Sequence, residues 1–291
     1  ASASDSRKAR KKRRGISPPA AQVATVPPMA EAAPSKSTSA SVGPSSLSDR
    51  PSPFVELALV LPVFLIYPLG VVFPDIQNAT DFLTFGMLTL ADGSKLRYLG
   101  LTACIGIALA LIFLALGRGQ AFQRKKFIQI ALEGVAYAVI MRLISGLAIT
   151  KLFAVAGKVG DTGPVEGLVL SCGAGFYEEI AFRVVLFGLG AKLLLWFFSH
   201  EQLALTTVAG GTANKRKLSG RGMAAAAVWA VVSAAIFSGI HYVGALGDPF
   251  ELKSFLFRFL LGLCLTTVYL LRGFAAAVWT HAVYDIWVLV F

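Results

Sequence analysis

Three short stretches place ionisable side chains where the surrounding sequence is almost wholly apolar. GFYEEIAFRVVLFG carries Glu178, Glu179 and Arg183; AAIFSGIHYVGAL carries His241, with Phe237 four residues before it; VWTHAVYDIWVLV carries His281 and Asp285. A charge at the centre of a bilayer costs about 2.5–3.5 kcal/mol on insertion scales, so each such group needs a partner or a task. On an α-helix Glu179 and Arg183 stand at i and i+4, acid before base, which predicts a structural ion pair that makes their burial tolerable. Glu178 projects about 100° around the helix from Glu179, toward another element or a water. Phe237 and His241 repeat the i, i+4 spacing, so that the ring walls one side of the imidazole. His281 and Asp285 repeat it again, with the carboxylate fixing the imidazole tautomer or sharing its cavity.

A carboxylate, two imidazoles and a second carboxylate around a water form a hydrolytic set, and two chemistries fit it. In one, Glu178 is the general base, His241 assists it, and His281 with Asp285 holds the developing oxyanion. In the other, Glu178, His241 and His281 bind a divalent metal such as zinc, which acidifies the water. The soluble metalloprotease spacing H-E-x-x-H is absent, which weighs against the metal version without removing it.

These groups need elements able to carry them through hydrocarbon, and the composition supplies them. Of 291 residues, 56% are apolar and 15% charged, with a mean hydropathy of +0.69; soluble domains run at about 45–50% and about 25%. The expected class is all-α, a polytopic transmembrane helical bundle. Cys104, Cys172 and Cys264 are too few and too deep in apolar runs for a disulfide scaffold. Seven segments, about 53–74, 96–116, 128–150, 166–198, 222–246, 254–271 and 274–291, approach the roughly 20 residues a span requires. The stretch 166–198 is too long for one upright crossing, so it tilts, breaks near Gly188 and Gly190, or starts outside the bilayer. Residues 75–94 read as lying at the outer interface or dipping back in, and 199–221 as a solvated connection with His200 at its edge.

The net charge of +11 is concentrated in the first 52 residues, which hold nine Lys/Arg against three Asp/Glu. Rich in Ser, Pro and Ala and without apolar periodicity, residues 1–52 read as a disordered basic cytoplasmic tail. It serves as a topology determinant or contacts anionic headgroups, so the basicity implies a lipid bilayer and no nucleic acid. No short apolar core with a cleavage site follows the charges directly, so it does not read as a signal peptide. Lys and Arg outside the spans divide eighteen to five between the two sides, which puts the N-terminus in the cytoplasm. An integral protein of a bacterial inner membrane is the localisation expected.

In order and on separate spans, the three motifs resemble those of the CPBP intramembrane proteases. That family includes CAAX prenyl endopeptidases of the Ras-converting type and bacteriocin-processing and immunity proteins. E-E-x-x-x-R is matched by Glu178, Glu179 and Arg183, F-x-x-x-H by Phe237 and His241, and H-x-x-x-[N/D] by His281 and Asp285. The likeness covers about 166–291, a catalytic transmembrane core preceded by N-terminal transmembrane helices in 53–165. It implies an intramembrane endopeptidase in which Glu178 activates water, His241 assists, and His281 with Asp285 stabilises the oxyanion. The Ras-converting type has Asn where Asp285 stands, and Asp donates a hydrogen bond only when protonated. Asp285 can instead orient His281 or bind metal. The implied substrate is a membrane-associated protein or peptide, CAAX-type prenylated or bacteriocin-like; the cofactor is either none or a divalent metal (zinc).

Two other classes use the same residues. A catalytically silent immunity or scaffold protein would keep the cluster as packing glue, and an ion or proton translocator would use it as a relay. Glu133, Arg142 and Arg258 read as snorkelling or pairing residues, with Arg142 placed to neutralise the carboxylates of the fourth span.

Overall fold

The computed structural model describes residues 51–73, 76, 82–152, 163–199, 218–244 and 247–291, and the expectations for residues 1–50, His200 and most of 199–221 lie outside these. The described residues are helical, without strands. Pro53, whose fixed φ suits a first helical turn, opens α1 (Pro53–Val72). A short α2 (Phe82–Leu90) covers part of the stretch expected at the interface. Next come α3 (Lys95–Leu116), α4 (Arg124–Leu152), and an uninterrupted run of α5 (Pro164–Gly173), a π-helical segment π1 (Ala174–Leu189) and α6 (Gly190–Ser199). The chain ends with α7 (Gly220–Ile240), α8 (Leu252–Arg272) and α9 (Phe274–Leu289). Serine hydroxyls accept the first free amides of α3 and α7: Ser94 from Arg97 at 3.4 Å and Ser219 from Gly222 at 3.1 Å.

Among the described residues six helices are long and apolar enough to cross a membrane: α1, α3, α4, the run Pro164–Phe198, α7 and α8. The seventh expected span, α9, has 16 residues, about 24 Å of helix against about 30 Å of hydrocarbon. Its surroundings explain the shortness. It packs on α1, α4, α5, π1 and α8, and Ala275 to Val278, Thr280 to Ala282 and Tyr284 are all buried. A helix lined by protein need not match the lipid thickness. By contrast α3 exposes Leu96, Ile107, Leu111 and Ile112, as a lipid-facing helix does.

The long run did not break at Gly188 or Gly190; it changes winding, from α to π at Ala174 and back at Gly190. The fifth span is also shorter than expected, ending at Ile240 with His241 as its C-cap. Since consecutive spans alternate in direction, the starts of α1, α4 and α7 share one end of the bundle with the ends of α3 and α8. Arg118, Arg124, Arg221 and Arg272 lie at that end, and His241 lies at the other. Between α8 and α9 only Gly273 intervenes. Its φ of +96° suits glycine, and an added Cβ would stand 3.0 Å from Glu56 Oε1.

Candidate active site

The polar site forms where π1, the end of α7 and the middle of α9 meet. Two glycines permit the approach. A Cβ on Gly175 would lie 2.8 Å from the Ala282 Cβ, so its absence lets π1 close on α9; a Cβ on Gly262 would lie 2.9 Å from the Phe237 ring, so α8 closes on α7. The wider turn of a π-helix, uncommon and often found at functional sites, carries Glu178, Glu179 and Arg183 into this junction, all buried.

Glu179 and Arg183 lie on one face, with Nε 3.2 Å from Oε2. The guanidinium also sits over the Phe237 ring, 4.3 Å from its centroid, where a cation meets the negative face of the π system. None of its three nitrogens makes a hydrogen bond among the described residues. The second Glu179 oxygen does something the spacing did not reveal: Oε1 accepts from Nδ1 of His281 at 2.8 Å, across 102 residues of chain. Glu179 thereby links Arg183 to His281, and it, not Asp285, occupies Nδ1 of that ring. Asp285 stands on the opposite edge, with Oδ2 3.4 Å from Nε2.

His241 faces the same point from α7. Its Nδ1 donates to the Phe237 carbonyl at 2.9 Å, which assigns the Nδ1–H tautomer and leaves the Nε2 lone pair directed inward. The Phe237 ring stands edge-on to His241 at 5.3 Å and to His281 at 6.2 Å between centroids. Glu178 completes the set: its Oε2 lies 4.0 Å from Nε2 of His241 and 3.9 Å from Nε2 of His281. These separations exceed a direct hydrogen bond and suit a group bridged by water. The structure therefore brings together Glu178, Glu179, Arg183, Phe237, His241, His281 and Asp285, the whole set the motifs singled out.

Other charged side chains of the spans make contacts of their own. The Arg142 guanidinium is 5.1 Å from the Trp287 ring centroid. Glu133 and Arg272 form a two-pronged pair, Nε to Oε2 at 2.6 Å and Nη2 to Oε1 at 2.9 Å. Arg258 holds Asp248, a loop residue that sequence reading passed over because it lies outside any span.

As zinc ligands the trio of Glu178, His241 and His281 fits poorly. Tetrahedral bonds of about 2.0–2.2 Å bring donors to within roughly 3.5 Å of one another, closer than the 3.9 and 4.0 Å observed. Among the described residues no group of three or more His, Cys, Asp or Glu is arranged to hold a metal ion.

Compared with known proteins, residues 161–287 match the family model described as Type II CAAX prenyl endopeptidase Rce1-like. No curated protein and no solved structure matches the chain.

Proposed function

We propose, from the premise that residues 161–287 form an Rce1-like type II CAAX prenyl endopeptidase domain, consistent with the CPBP family, that this integral membrane protein cleaves a peptide bond of a membrane-associated protein or peptide by glutamate-activated water. The observation that carries the reading is the position of Glu178 Oε2, within 4.0 Å of one Nε2 and 3.9 Å of another on two different helices. A water held there has a carboxylate to take its proton and an imidazole on either side.

Glu178 removes a proton from the water as the oxygen attacks the scissile carbonyl carbon. His241, its Nδ1–H spent on the Phe237 carbonyl, offers Nε2 as an acceptor that orients the water's second proton. His281, its Nδ1–H held by Glu179, donates from Nε2 to the carbonyl oxygen as negative charge gathers there, and Asp285 beside the same nitrogen supports the imidazolium this requires. Glu178 then delivers its proton to the amine as the C–N bond breaks. General-base transfer contributes about 10²–10⁴-fold, and one oxyanion donor about 10²–10³-fold. Glu179 and Arg183 hold His281 and balance the local charge.

The eighteen-to-five division of Lys and Arg supports a cytoplasmic N-terminus. That orientation puts the site in the outer half of the bundle, within reach of a lipid-embedded or externally exposed segment. The test is a comparison of protein termini in membranes from cells carrying the wild type and Glu178→Gln. The expected result is one membrane-associated precursor that stays uncut only with the variant. Identical termini in the two membranes would overturn the proposal.

A further inference from the structure

The loop leaving α7 carries a second set of contacts that ends on His241. Asp248 donates its backbone amide to the His241 carbonyl at 2.9 Å, while its carboxylate is held by Arg258 of α8, Nη2 to Oδ2 at 2.5 Å. The Arg258 guanidinium lies over the Tyr242 ring, 5.4 Å from its centroid, and that ring packs against Phe250 and Phe255. A further tie joins the helices just below, where Ser238 donates its hydroxyl to the Phe255 carbonyl at 2.6 Å.

His241 needs this bracing. As the C-cap of α7 it sits where the helix has ended and its carbonyl has no intrahelical acceptor role to fill. Without an external donor the last turn frays, and the ring moves with it. We propose that Asp248 and Arg258 are positioning residues for His241: the ion pair fixes the Asp248 backbone, whose amide fixes the His241 carbonyl and so the distance from Nε2 to Glu178. The proposal rests on the reading of His241 as the residue that orients the water. It adds residues that no motif contains: one at the loop, 55% exposed, and one on the neighbouring helix, 25% exposed. Arg258 also lies near enough for its charge to act on both His241 and Asp285, so Asp248 is the cleaner position to alter.

The test uses the full chain in detergent micelles, labelled with ¹⁵N-histidine. The three histidines give three assignable imidazoles, with His241→Gln and His200→Gln identifying the signals. In the wild type His241 is expected as a single Nδ1–H tautomer. With Asp248→Ala that signal is expected to broaden or split while His281 keeps its own. On a cleaved peptide, kcat is expected to fall about tenfold with KM within twofold, the mark of a misplaced group and not of lost binding. Asp248→Glu, which keeps the carboxylate for Arg258, is expected to restore both readouts. An unchanged His241 signal in Asp248→Ala, or unchanged kcat beside a wild type that cleaves, overturns the proposal. If the wild type cleaves nothing while Asp248→Ala still disturbs His241, the bracing stands and the peptidase reading falls.

Discussion

Two polar clusters join distant helices in this bundle, and they are built in opposite ways. Near the basic end, Glu133 on α4 meets Arg272 on α8 with both prongs engaged, and its two oxygens also accept from Gln129 at 2.5 Å and Tyr137 at 3.4 Å. Near the other end, Glu178 faces two imidazoles at 3.9 and 4.0 Å, and Arg183 lies fully buried with no hydrogen bond from its nitrogens among the described residues. The first cluster is closed: charge-assisted bonds at short distance leave no room for another molecule, as in a staple between helices. The second is spaced more widely, with Glu179 and Asp285 beside the His281 ring and the Phe237 carbonyl holding His241, while the two Nε2 atoms stand 3.9 and 4.0 Å from Glu178. Burying charge in a bundle therefore does not by itself mark a site; what distinguishes this one is acid and base groups from three helices held around one carboxylate oxygen at distances that suit a bridging water.

The contrast can be broken in order of expected effect. Glu178→Gln is expected to lower cleavage about 10³-fold with protein accumulating at the wild-type level, as read by a peptidase assay beside an immunoblot. Glu179→Gln, which loosens Nδ1 of His281 without touching the water, is expected to cost about 10²-fold in kcat with KM retained. Steady-state kinetics separate these, and an equal rise in KM would show that Glu179 binds substrate instead. Glu133→Gln is expected to leave the activity of each folded molecule unchanged and to destabilise the bundle by about 2 kcal/mol, since it takes the charge out of the two-pronged pair with the buried Arg272; unfolding in mixed micelles measures it. Arg142→Gln, on an exposed position beside Trp287, is expected to cost about 0.5–1 kcal/mol in the same assay and nothing in cleavage.

Most of the helices and the members of the site were legible because they follow from short-range rules. Apolar length marks a span, and i, i+4 spacing correctly placed Arg183 by Glu179, the Phe237 ring by His241, and Asp285 by His281. What escaped depends on contacts across the chain. The bond from Glu179 to His281 spans 102 residues, and no local pattern distinguishes a glutamate with one partner from a glutamate with two. The π winding of Ala174–Leu189 has no compositional mark; it shows only once Gly175 meets Ala282. The ending of α7 at Ile240 was hidden because HYVGAL holds no proline or carboxylate to mark a stop, and the turn there is fixed by Asp248 and Gly244. For α9 the composition spoke of a span, while its central packing shows why 16 residues suffice.

The most direct measurement reconstitutes the wild type, Glu178→Gln and Glu133→Gln in vesicles with the precursor identified by the comparison of membrane-protein termini, in H₂¹⁸O, and follows the new carboxyl terminus by mass spectrometry. Glutamate-activated water predicts ¹⁸O in the product from the wild type and Glu133→Gln at equal rates per folded molecule, and almost none from Glu178→Gln. Cleavage by Glu178→Gln at the wild-type rate, or equal loss in both variants, would contradict it.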